Sequence, residues 1–194
     1  AFSRSFGLNC ISLRLFNVYG NGQSSETDVI RKFLKNISKD VPLEIFGDGT
    51  QTRDFVHVSD VIQAFSCAIK NIEAKCGEVY NIGSGKATSI NELASLLISS
   101  KGKDLQIIHK PALEGEIKDS KADISLAENN IGYSPHVLLS DGLASLVWLY
   151  LVPRMRFAIE NNNTEVMIII EPSKIDIVLP NINPYNTFGA TGSR

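Results

Sequence analysis

Arg53 stands in the one stretch of this sequence whose residue types could grip an anion: Gly47-Asp48-Gly49-Thr50-Gln51-Thr52-Arg53-Asp54-Phe55-Val56-His57-Val58-Ser59-Asp60. A guanidinium fixed beside a turn can hold a phosphate through two parallel hydrogen bonds, which an ammonium does less well. The same arginine can instead pair with its acidic neighbours Asp48 or Asp54, a contact of small energetic weight at a surface. Asn17 is the second candidate. It ends an apolar run, and in open α/β sheets ligands bind outside the carboxyl ends of strands. The other reading of Asn17 is a turn asparagine that caps local backbone. His57 has no neighbour that would make a triad or a metal site, so it reads as a packed or capping histidine. Cys10, Cys67 and Cys76 are odd in number and form no C-x-x-C pair. That spacing suits neither a disulfide framework nor zinc, and reads as buried thiols in a reducing cytoplasm.

The elements that must position these residues follow from pattern. Cys10 to Phe16 is apolar and branched apart from Ser12 and Arg14, which predicts a strand buried on both faces of a parallel sheet. Val29, Ile30, Phe33, Leu34 and Ile37 fall at helical spacing, so Asp28 to Ser38 is an amphipathic helix. Leu43 to Phe46 is a short strand that feeds the glycine turn, where Gly47 and Gly49 permit positive φ. Phe55 to Val58 is strand-like, and Ser59 is the expected N-cap of the next helix. Glu78 to Ile82 is a further strand. Gly83-Ser84-Gly85 lacks the third glycine of a dinucleotide fingerprint and reads as a turn. Ser89 and Glu92 form a capping box. Leu105 to His109 is a strand, Asp123 caps a short helix ending at Gly132, and Ser140-Asp141 opens a last helix.

Composition narrows the class. A net charge of -2 over 194 residues gives no case for nucleic acid or a membrane surface, so any phosphate site must be local. The apolar run Leu143 to Val152 is too short to span a bilayer. The sequence opens on Ala1 without a signal-like stretch, and reads as a cytoplasmic fragment. Beyond about Val152 the character changes. Asn161-Asn162-Asn163 is linker-like, and the branched runs Val166 to Ile170 and Ile175 to Leu179 suggest an extra hairpin before a loose, Asn- and Pro-rich end.

Three blocks in order carry a resemblance: Arg14-Leu15-Phe16-Asn17-Val18-Tyr19-Gly20, the Gly47 to Val58 stretch, and Gly77-Glu78-Val79-Tyr80-Asn81-Ile82-Gly83-Ser84-Gly85. From Ala1 to about Tyr150 the chain resembles the C-terminal half of the NAD-dependent nucleotide-sugar epimerase/dehydratase family, within the extended short-chain dehydrogenases. The resemblance implies an α/β fold: the C-terminal part of a Rossmann-type parallel sheet plus a small sugar-nucleotide lobe over residues 1–152, with an atypical tail at 153–194. It implies NAD as cofactor, a UDP-sugar as substrate, and 4-epimerisation such as UDP-glucose/UDP-galactose interconversion. A dehydratase, a UDP-glucuronate decarboxylase or a non-catalytic binding half are the alternatives. It also implies a homodimer, with the N-terminal Rossmann half as the missing partner.

The family's reaction needs a glycine-rich cofactor fingerprint and a Tyr-x-x-x-Lys pair, in which the lysine lowers the tyrosine pKa. Neither motif is present here, since Tyr19, Tyr80, Tyr133, Tyr150 and Tyr185 all lack a lysine four residues on. The chain is therefore expected to begin just after the catalytic residues and to be inactive alone. By resemblance, Phe16 lies against the nicotinamide and Asn17 bonds the nucleotide-sugar near its diphosphate. Val29 and Ile30 line the helix start over the nucleotide, Glu44 and Phe46 read the uracil edge through their backbone, and Arg53 grips the diphosphate. Leu113-Glu114-Gly115-Glu116 matches a family Arg-x-Gly-Asp block, in which the arginine takes phosphates and the acid takes the ribose hydroxyls. Here Leu113 removes that second arginine, and Glu116 keeps the acid on a longer side chain.

Overall fold

The computed structural model describes residues 5–22, 28–102, 104–151, 157–161 and 164–168. The chain divides into two compact units, Ala1–Leu151 and Val152–Arg194. In the first unit, Ser5 and Phe6 are helical, and Gly7 follows at φ 63° as a helix-ending residue.

The next two strands switch partners within one residue. β1 (Ser12–Leu15) runs parallel to β6 (Val79–Ile82), whereas β2 (Asn17–Tyr19) runs parallel to β5 (Phe55–His57). At the junction the Phe16 N–H donates to Ile82 O at 2.9 Å, and the Asn17 N–H donates to Asp54 O at 3.0 Å. Asn17 therefore sits where the chain leaves one strand pair for another, the kind of crevice in which α/β folds hold ligands.

β5 links two cores through its alternation. Phe55 faces one side and joins the cluster containing Tyr19, Phe33, Leu43 and Leu93, while Val56 faces the other and joins Tyr80, Ile82, Ala127 and Tyr133. The first core is covered by α1 (Val29–Ser38), α3 (Ile90–Lys101) and α5 (Leu139–Leu151), which pack on one another; α1 and α3 also pack on β3 (Leu43–Phe46), and α5 packs on β5. β3 pairs in parallel with β8 (Ile107–Lys110). The second core is covered by α2 (Val58–Lys70) and α4 (Ser125–Ile131). A two-residue antiparallel contact joins β4 (Thr52–Arg53) to β7 (Thr88–Ser89).

Several expectations need correction. β1 is not buried on both faces: Ser12, Arg14 and the partner strand's Val79, which share one face, are exposed. The other face is covered at Leu13 by the second core but leaves Leu15 41% exposed, and among the described residues β1 has a partner on one edge alone. The N-cap of α2 is His57 rather than Ser59; its ring accepts the Ser59 N–H at 3.3 Å, and the helix starts two residues earlier than expected. Asp123 lies one residue outside the α4 cap, where it accepts the Ser125 N–H at 3.1 Å and hydroxyl at 2.6 Å. The three cysteines are half-buried rather than core residues.

In the second unit, β9 (Phe157–Asn161) pairs antiparallel with β10 (Thr164–Ile168). This is not the hairpin expected between Val166–Ile170 and Ile175–Leu179: the strand paired with β10 lies upstream of it and ends on Asn161, the first residue of the asparagine run. Phe157-Ala158-Ile159 is as apolar as the run at Val166. The run Ile175 to Leu179 and the end beyond it lie outside the described residues.

Candidate functional site

The glycine turn sets Arg53. Gly47 and Gly49 take φ 75° and 76°. A Cβ on Gly49 would fall 2.0 Å from Asn91 Oδ1, so the position admits only glycine. Asn91 locks the turn in return: its N–H donates to Gly49 O at 3.0 Å and its amide to Asp48 O at 2.9 Å. Asp48 is occupied locally by the Thr50 N–H and hydroxyl, at 2.9 and 2.7 Å, and these bonds hold its carboxyl below the ordinary range.

Asp54, fully buried, anchors the other side. It accepts the Ser84 N–H at 2.6 Å, the Ser84 hydroxyl at 2.7 Å, and the Gly85 and Ala122 N–H groups at 3.0 Å each. Neither acid is thus available to Arg53. The guanidinium instead donates through Nη1 to Thr52 O at 2.7 Å and Ile117 O at 2.6 Å, and through Nη2 to Glu116 Oε1 at 3.1 Å. Side-chain exposures of 18% for Arg53 and 27% for Glu116 keep this pair partly shielded from water.

A cavity of about 440 Å³ opens beside this pair. It is lined by Asn17, Val29, Glu44, Phe46, Arg53 and Glu116, and by Leu113. Phe16 is half-buried against the second core and is not in the lining. Ile30 is not in the lining either. It is 1% exposed in the first core, because one helical step of about 100° turns it away from Val29.

The lining also holds residues that sequence reasoning missed. Gln51 donates to Phe46 O at 2.7 Å and reaches both Glu116 carboxylate oxygens at 3.5 Å. It ties the end of β3 to the acid. Asp28 caps α1 by accepting the Ile30 N–H at 3.0 Å, and burial raises its pKa against the lowering effects of that bond, Arg31 and Lys32. Lys32 lies one turn further along the same helix face. The available signal was spacing: residues at three and four positions from Val29 and Asp28 share its face.

The described residues offer no cradle for a dinucleotide. In the Gly83-Ser84-Gly85 turn the Ser84 and Gly85 amides already bond Asp54. A Cβ on Gly83 would meet Ala122 at 2.5 Å, so the turn is closely packed rather than open. Among the described residues no three His, Cys, Asp or Glu side chains converge as a metal site, and no helix is long and apolar enough to cross a membrane.

The parallel strand pairs thus carry a cavity at the strand switch with an arginine–carboxylate pair in its wall. Residues 1–83 match the NAD dependent epimerase/dehydratase family. The fold also matches the UDP-glucose 4-epimerase of Thermotoga maritima, solved with UDP-glucose, at TM-score 0.70 and 36% identity, covering 75% of this chain and 47% of that one. It matches the UDP-glucuronic acid 4-epimerase of Bacillus cereus, solved with UDP-glucuronic acid and NAD, at TM-score 0.66 and 39% identity, with 73% and 45% covered. The dTDP-glucose 4,6-dehydratase DesIV of Streptomyces venezuelae, solved with NAD bound, matches at TM-score 0.68 and 30% identity, with 75% and 45% covered.

Over this span the chain belongs to the NAD-dependent epimerase/dehydratase family. It spans about half the length of the curated relatives it matches.

Proposed function

We propose that this chain is the substrate-binding portion of an NAD-dependent UDP-sugar 4-epimerase of the kind that interconverts UDP-glucose and UDP-galactose. The observation that carries the reading is the convergence of Asn17, Val29, Glu44, Phe46, Arg53 and Glu116 on one cavity. In this reading Arg53 takes the diphosphate, Asn17 bonds beside it, and Glu116 takes the ribose hydroxyls. The backbone of Glu44 and Phe46 reads the uracil edge, and Val29 covers the nucleotide. Phe16, next to Asn17 but facing away from the cavity, meets the nicotinamide.

Hydride transfer requires both a bound cofactor and a positioned base, so the chain alone has no epimerase activity. Its partner is an N-terminal Rossmann half carrying both, and the one-sided pairing of β1 supports a further strand at that edge. The complete enzyme is a cytoplasmic homodimer. A second reading, a nucleotide-sugar dehydratase of the same family, is supported by the likeness to DesIV.

Calorimetric titration of UDP into the purified chain tests the site, and binding that is competed by UDP-glucose is the expected result. Absence of UDP binding would overturn the reading. Interconversion of UDP-glucose and UDP-galactose by the chain with only NAD⁺ added would overturn the inactivity.

A further inference from the structure

The charges in the cavity wall are Asp28, Lys32, Glu44, Arg53 and Glu116. Four of them already have a partner. Glu116 faces Arg53 at 3.1 Å, Glu44 faces Lys110 at 3.3 Å, and Asp28 accepts the Ile30 N–H at the positive end of α1. Lys32 is different. Its charge is felt at Asp28, but among the described residues its ammonium has neither an ion pair within 4.0 Å nor a side-chain hydrogen bond. The side chain is exposed and borders the same cavity as Arg53.

A diphosphate carries more negative charge than one guanidinium can neutralise, and this guanidinium is already shared with Glu116. Leu113, 54% exposed in the cavity wall, supplies no charge. An ammonium on a flexible four-carbon stem can reach across a cavity as a mobile point charge.

We infer that Lys32 is the second cation of this site and binds the phosphates of a nucleoside diphosphate together with Arg53, in a cavity whose wall also holds the neutral Leu113. This rests on the nucleotide-sugar reading above. Lys32 then determines how strongly the site prefers a diphosphate over a monophosphate or a bare nucleoside.

The test is titration of UDP, UMP and uridine into the wild-type chain and Lys32→Met. Lys32 is exposed, so the substitution leaves the fold intact, which circular dichroism verifies. Lys32→Met weakens UDP binding by about tenfold or more, the loss of a charge-assisted contact, and uridine binding by less than about twofold. The loss grows as salt is lowered, since two charges separate it from an apolar effect. Lys32→Arg keeps most of the UDP affinity. Leu113→Arg, added to Lys32→Met, restores it by returning a cation to the same cavity.

Equal UDP affinities of wild type and Lys32→Met overturn the inference. Equal losses for UDP and uridine also overturn it, because they put Lys32 on the nucleoside. A wild type that binds no UDP overturns the site reading itself, and is distinguishable from either result.

Discussion

Glu116 Oε1 lies 3.1 Å from Arg53 Nη2, so the arginine of this cavity is held by a carboxylate 63 residues away rather than by its neighbours Asp48 and Asp54. Two backbone carbonyls fix the same guanidinium from behind. In the proposed function a ligand phosphate meets a pre-oriented donor and competes with one carboxylate for it. Arg53→Ala weakens UDP binding by about 2–4 kcal/mol, as for loss of a charge-assisted, partly buried contact. Arg53→Lys recovers part of this, because an ammonium cannot present the fork. Calorimetric titration of UDP reads both, and equal affinities of wild type and Arg53→Ala reject the diphosphate role.

Leu113 gives the complementary gain. It borders the same cavity and is half exposed, so a longer side chain has solvent to extend into. Leu113→Arg tightens UDP binding by up to about 1.5–3 kcal/mol, and less at high salt. An unchanged UDP affinity across the salt series shows that position 113 does not reach the phosphates.

Most of the fold was legible in the sequence because its signals are local. The spacing of Val29, Phe33, Leu34 and Ile37 gives α1, and Ser89 caps α3 by accepting the Glu92 N–H at 3.1 Å. The partner of Arg53 was not legible. Asp48 and Asp54 are nearer in sequence, but each is saturated by amides and hydroxyls that local geometry presents first. The resemblance places Ile30 at the site together with Val29, but one helical step separates cavity from core. The exposure of β1 was hidden for another reason: an apolar strand reads as buried whether or not its covering layer lies within the sequence. Lys32 carries no motif, and Gln51 lies inside the glycine stretch without a role there; the fold brings both to the cavity.

Asp54 holds the loop that carries Arg53 against the Gly83–Gly85 turn and Ala122 through four hydrogen bonds. Asp54→Asn keeps the shape but turns an amide donor toward N–H groups that are themselves donors. The chain loses about 3–5 kcal/mol, the range for breaking a buried charged network. The urea midpoint measures this, and a loss below about 1 kcal/mol shows that the network is dispensable.

Among the described residues, the two core clusters are built from residues no later than Tyr150, and the second unit begins at Val152. Ending the chain at Leu151 leaves the thermal midpoint of the remaining unit nearly unchanged. The cut falls before β9, since a cut at Asn161 would leave that strand without β10. A fall of more than about 5 °C, equivalent to roughly 1–2 kcal/mol in a domain this size, shows that the second unit completes the first.

Asp28 links stability to pH. Burial raises its folded-state pKa above the ordinary 3.8, outweighing the Ile30 N–H, Arg31 and Lys32. The folded chain then holds the Asp28 proton more tightly than the unfolded chain does. Its contribution favours folding below the unfolded value and is lost as pH rises through the raised folded value. Asn caps a helix as well as Asp does, so Asp28→Asn removes the titration while keeping the cap on Ile30. Relative to wild type, Asp28→Asn gains stability on going from about pH 3 to about pH 7, with the change confined to the window between the two pKa values. Urea midpoints of both chains across that range measure it. A stability difference that is flat with pH, or that favours wild type at neutral pH, rules out a desolvated carboxyl at the mouth of α1.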